Sequence, residues 1–96
     1  MIEFLNGYID KDVLDNLKTN YSSVLFDLNC NQDECIKVIG FLERIGIKNV
    51  SELLLYRTDL FCKTLSDVEE MFFSKNTFDL VSKINDNIFE IDILFE

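Results

Sequence analysis

The chain has 96 residues and a mass of 11.2 kDa, with 18 acidic and 9 basic side chains and no histidine, so its formal charge is −9 and its isoelectric point is near 4.3. The missing histidine excludes Ser-His-Asp and Cys-His nucleophile systems, imidazole metal ligands and a histidine general base, and the shortage of Lys and Arg argues against a phosphate-tracking surface. Hydrophobic residues make up 48% of the chain and nine are Phe, too apolar for a disordered acidic tail and enough for one modest core.

The opening residues, Met1-Ile2-Glu3-Phe4-Leu5-Asn6-Gly7, lack a basic n-region and a long apolar h-region and do not read as a signal peptide. Met1 to Leu5 is apolar and strand-prone. Asp10 starts a segment in which Val13, Leu14, Leu17 and Tyr21 form one helical stripe. Ser22 to Leu28 is again rich in strand formers. Asn31-Gln32-Asp33-Glu34 has the spacing of a capping box, in which each side chain satisfies a free backbone amide. Beyond it Cys35, Val38, Ile39, Leu42 and Ile45 recur at three- and four-residue steps, which predicts an amphipathic helix. Gly46 stands where a left-handed residue ends such a helix, and Ile47 supplies the apolar contact that seals it.

Asn49-Val50-Ser51-Glu52 opens a short helix through Leu53 and Leu54 to about Arg57. Ser66-Asp67-Val68-Glu69 opens another, with Val68, Met71 and Phe72 on the buried side. Thr77 is the expected cap of a further segment, where Phe78, Val81, Ile84 and Ile88 keep helical spacing. Phe89, Ile91, Ile93 and Phe95 then alternate at period two, a strand signature. A lone strand needs a partner. The expected architecture is therefore all-α, one compact bundle or stack of short helices over residues 1–96; the alternative is mainly α with a small two-stranded pairing of the terminal segments.

The longest unbroken apolar run, Leu53-Leu54-Leu55-Tyr56, falls far short of the ~20 residues of a membrane span. Cys30, Cys35 and Cys62 read as reduced, mostly buried thiols of a cytoplasmic protein. Zinc would need a fourth ligand that no histidine can supply. Asp27, Asn29, Asn31 and Asp33 alternate like the first half of a calcium loop, but Gln32 and Val38 stand where that loop requires Gly and Glu, so turn and capping chemistry is expected instead. Glu69-Glu70 and Asp10, Asp12 and Asp15 read as solvated helix faces, and Cys62 beside Lys63 as a packed thiol without a partner base. No catalytic residue, cofactor or metal is predicted.

The segments Tyr21-Ser22-Ser23-Val24-Leu25-Phe26 and Tyr56-Arg57-Thr58-Asp59-Leu60-Phe61 share a Tyr-x-x-x-Leu/Val-Phe pattern 35 residues apart, with Asn85-Asp86-Asn87-Ile88-Phe89 as a candidate third copy. Through Phe41-Leu42, Gly46-Ile47, Leu53-Leu54-Leu55 and Leu60-Phe61, the stretch Ile36 to Phe72 resembles the repeat of the mitochondrial transcription termination factor family. That resemblance implies a curved stack of short helices with a nucleic-acid-binding concave face. Arg57-Thr58-Asp59 departs from the family, which usually has a proline just before the turn, and the acidic charge departs from the family's basic face. Gly46-Ile47-Lys48-Asn49-Val50 echoes a helix-hairpin-helix module without its Gly-x-Gly turn.

Acidity is concentrated in the second half. Residues 1–48 carry five basic and eight acidic side chains, residues 49–96 four and ten. Asp59, Asp67, Glu69 and Glu70 are accordingly the candidate partner-binding residues, on a surface that attracts a basic protein and repels nucleic acid. The expected function is that of a small acidic interaction or regulatory module without enzymatic activity. A specialised form is an inhibitor from a phage or mobile element that presents negative charge to a nucleic-acid-binding protein. A nucleic-acid-binding helical repeat and an enzyme with an unfamiliar thiol or carboxylate site are the alternatives.

Overall fold

Short amphipathic segments, each with too narrow an apolar stripe to stand alone, bury their stripes against one another. The computed structural model describes residues 2–96 and contains α1 (Lys11–Asn20), α2 (Ser22–Cys30), α3 (Gln32–Arg44), α4 (Val50–Tyr56), α5 (Leu65–Phe73) and α6 (Thr77–Asp86). Three 3₁₀ segments accompany them, at Glu3–Leu5, Thr58–Cys62 and Ile88–Phe95. The fold is all-α. No described helix is long and apolar enough to cross a membrane.

A continuous hydrophobic cluster runs from Ile2 to Ile91. Its centre is α3, whose Cys35, Val38, Ile39 and Leu42 are buried as the periodicity predicts; Phe41 joins them from outside the predicted stripe, and Ile45 is only half-buried. The second 3₁₀ segment adds the fully buried Leu60 and Phe61, and α5 adds Val68 and Phe72. Phe41 meets Phe72 and Phe73 edge to face, with ring centroids 5.8 and 5.7 Å apart.

The two strand-prone interior and terminal segments are helical. Ser22 to Leu28 lies in α2, where Leu25 and Leu28, one turn apart, are buried and Phe26 is exposed. The period-two segment coils into an eight-residue 3₁₀ stretch, longer than such runs usually are. Ile91 enters the core there while Phe89 and Ile93 stay exposed. The two-stranded pairing of the termini is thus not formed. Glu3–Leu5 is itself coiled, and the described residues contain only an isolated bridge between Asn6 and Ile9. Met1 lies outside the described residues.

Some predicted stripes are corrected. Tyr21 sits just past α1 and is exposed, whereas Leu14 and Leu17 are buried. In α6 the buried set is Leu80, Val81 and Ile84; Phe78 is 88% exposed and Ile88 falls beyond the helix.

Capping follows backbone conformation more than sequence spacing. Thr64 (ψ 157°) and Asn76 (ψ 96°) are extended, and their side chains accept the N–H groups of Asp67 and Asp79 at 3.2 and 3.1 Å. They replace the expected caps Ser66 and Thr77, the latter instead donating to the Phe72 carbonyl at 3.1 Å. Asn31 (ψ 42°) and Asn49 (ψ 50°) are not extended, and neither side chain caps its helix. Only Asn31 separates α2 from α3, and its amide reaches back to the Asp27 carbonyl at 3.2 Å. Its would-be box partner Glu34 accepts the N–H of Leu65, the first residue of α5, at 3.0 Å. That N–H is one of the unpaired donors of a helix start, so α3 supplies a cap for α5 across 31 residues of chain.

At the other end of α3 the expected seal is present. Gly46 has φ +102°, its N–H donates to the Glu43 carbonyl at 3.1 Å, and the N–H of the buried Ile47 donates to Leu42 at 3.0 Å.

Candidate partner-binding groove

A groove of about 410 Å³ lies between α5 and the last 3₁₀ segment. Asp67, Glu70, Met71, Ser74 and Lys75 line it from one side, Ile93, Leu94 and Glu96 from the other, with Lys63 at one end. Its α5 wall is fixed by the Thr64 cap, by Glu34 and by the burial of Val68 and Phe72 on the opposite helical face.

The other wall depends on Arg57, the single residue between α4 and the second 3₁₀ segment. Its guanidinium lies 3.6 Å from the centroid of the Phe95 ring, pairs with Asp59 at 2.9 Å and approaches Asp92 at 3.6 Å. Tyr56 donates its hydroxyl to Asp92 at 2.6 Å and meets Phe89 edge to face at 4.9 Å. These contacts attach the 3₁₀ segment through Phe89, Asp92 and Phe95, one residue per turn of a three-residue helix. The hydrogen bond to Asp92, with partial burial and that carboxylate's charge, raises the Tyr56 phenol above its ordinary value and keeps the proton on the tyrosine.

The four predicted partner-binding residues are separated by this geometry. Asp67 and Glu70, one turn apart on α5, are exposed and share the groove. Glu69, between them in sequence, is half-buried and outside its lining. Asp59 is exposed on the second 3₁₀ segment and engaged by Arg57. Met71, expected on the buried side of its helix, is half-buried and lines the groove, while Glu96 and Leu94 join it although nothing in the sequence marked them, because the groove closes only when the last segment packs back. Carboxylates outnumber ammonium groups along it, three to two, among the apolar side chains of Met71, Ile93 and Leu94.

The other candidate chemistries have local explanations. In the calcium-like stretch, Asp27 and Asn29 belong to α2 and Asp33 to α3, while Gln32 donates to Asn29 at 2.9 Å. Among the described residues no three His, Cys, Asp or Glu groups assemble as a metal site. All three cysteines are free thiols. Burial, with Cys62 nearby, pushes the Cys35 thiol up to about 12. Cys62 is also raised, by burial and then by the charges of Asp27 and Asp59.

No family model, curated protein or solved structure matches the chain.

Proposed function

We propose that this protein is an acidic helical interaction module that docks a basic protein partner in the groove between α5 and the last 3₁₀ segment. The observation that carries the proposal is the joint placement of Asp67, Glu70 and Glu96 around Met71, Ile93 and Leu94. Apolar side chains interspersed with an excess of carboxylates suit an amphipathic segment bearing Lys or Arg beside its hydrophobic anchors. The net charge of −9 steers such a partner toward the module and opposes nucleic acid. In its specialised form the module is an inhibitor from a phage or mobile element, occupying the basic surface that a nucleic-acid-binding protein uses for phosphates. The cytoplasm is its proposed compartment, supported by three unpaired thiols. Binding without catalysis is the proposed role; burial raises the Cys35 and Cys62 thiols, which disfavours the thiolate at those two positions.

The test is a pull-down from source lysate with and without nuclease, comparing wild type with an Asp67→Lys/Glu70→Lys variant. Asp59 is left intact because its reversal would also disturb Arg57. A basic partner retained through nuclease treatment and lost by the variant, with an unchanged circular dichroism spectrum, is the expected result. Recovery that disappears with nuclease, or a partner indifferent to charge reversal, overturns the proposal.

A further inference from the structure

A second surface depression, of about 400 Å³, is lined by Tyr21, Glu52, Leu55, Tyr56, Thr58 and Ile88. Tyr21 and Tyr56 are the leading residues of the two segments that resemble each other 35 positions apart. The fold brings both to one place because each stands at a joint, Tyr21 between α1 and α2 and Tyr56 at the end of α4. They are 45% and 37% exposed, large aromatic groups that the core has not absorbed.

The polar atoms of this depression are unevenly committed. Thr58 donates its hydroxyl to the Leu54 carbonyl at 2.8 Å, and Tyr56 donates its own to Asp92. Glu52 is exposed, is the one charged lining residue, and has no ion-pair or hydrogen-bond partner among the described residues. The walls therefore offer two tyrosine rings, of which Tyr56 is already met by Phe89, aliphatic surface from Leu55 and Ile88, and one free carboxylate. Those are the needs of a cationic side chain with an apolar stem. The molecule already solves the same problem nearby, where the Arg57 guanidinium lies on Phe95 beside the Asp59 and Asp92 carboxylates.

We propose that the Tyr21–Tyr56 depression is a receptor for an arginine side chain of a basic protein partner, with Glu52 as the counter-ion. Arginine fits better than lysine because its planar guanidinium stacks on a ring while its edge meets a carboxylate in a two-point contact. Such a receptor calls on the same class of partner as the α5 groove but on a different surface, so each can fail alone.

The test uses the full chain, isotope-labelled, titrated with a capped Gly-Gly-Arg-Gly-Gly peptide and with its citrulline counterpart, which keeps shape and loses charge. Chemical-shift changes are expected at Leu55, Tyr56 and Ile88, with the citrulline peptide binding roughly tenfold more weakly. Glu52→Gln and Tyr21→Leu should each weaken the arginine peptide severalfold without altering the circular dichroism spectrum, both side chains being exposed. Asp67→Lys/Glu70→Lys should leave it unchanged. Equal binding of the citrulline peptide, no shift changes at millimolar peptide, or changes confined to Asp67, Glu70 and Met71 overturn the receptor, and the last outcome does so while leaving the α5 groove standing.

Discussion

Asn85 on α6 holds the turn at Gly46: its side-chain amide donates to the Gly46 carbonyl at 2.9 Å, and its oxygen accepts the Lys48 N–H at 2.9 Å. The turn that ends α3 is thus closed twice, by its own backbone and by a side chain 39 residues away. Asn85→Ala should cost about 1–2 kcal/mol in urea unfolding, the net worth of two hydrogen bonds. Gly46→Val should cost more than the ~1 kcal/mol of an ordinary glycine replacement, since φ +102° resists a β-branched side chain. The cost comes from the backbone, since Val81 Cγ1 lies 3.5 Å from the Cβ position, an ordinary contact distance. A neutral Gly46→Val would contradict the left-handed cap.

Glu34 couples the start of α5 to acid stability. The Leu65 N–H and, secondarily, Lys37 hold its carboxyl below the ordinary value of 4.5. A carboxyl depressed by folding contributes stability that is fully present above its ordinary value and is lost as pH falls through the lowered one. Wild type should therefore exceed Glu34→Gln in stability at neutral pH, with the gap closing below about pH 4.5. Urea midpoints measured across pH 3–7 for both proteins check this; a gap independent of pH would show that the charge is not involved.

Arg57 should act on one segment selectively. Arg57→Ala removes the ring contact and two carboxylate contacts together, and about 1–2 kcal/mol of local stability should go with them. Amide exchange of residues 88–95 should accelerate more than that of α3. Arg57→Lys should recover only part of the loss, because an ammonium group keeps the charge without the plane.

The thiols should divide into fast and protected classes. Cys30 is exposed, Cys62 half-buried and Cys35 buried, with its thiol pushed up to about 12. Ellman's reagent on the native protein should modify Cys30 first, while Cys35 should react only after denaturant is added. Rapid native modification of Cys35 would mean that the packing of α3 opens readily.

Local rules described α3 well because its signals are self-contained: three- and four-residue spacing, then Gly46 and Ile47 at its end. They placed the start of α5 two residues late, since Ser66-x-x-Glu69 matches a capping box while the extended residue is Thr64. The period-two pattern from Phe89 to Phe95 misled for a tertiary reason. Arg57, Tyr56 and the core capture Phe95, Asp92, Phe89 and Ile91 in a 3₁₀ coil, and their strand preference has no neighbouring strand to satisfy it. Half of the candidate site was visible in the same way. Asp67 and Glu70 are marked by acidity on one helical face, whereas Leu94 and Glu96 arrive only through contacts across the fold.

The single-residue joints at Tyr21, Asn31, Arg57 and Asn87 make this fold intolerant of changes in length. One residue inserted into a helix rotates everything beyond it by about 100°, and a one-residue joint has no slack to absorb the turn. An insertion beside Asn31 would swing the apolar stripe of α3 toward water, and one beside Arg57 would carry the guanidinium away from Phe95. The longer connections at 6–10, 45–49 and 74–76 have more room, although the Ser51 hydroxyl holds the first at the Asp10 N–H and Asn85 clasps the second. Variation among descendants of this chain should therefore appear as substitutions along most of its length, with gained or lost residues concentrated where α5 passes to α6.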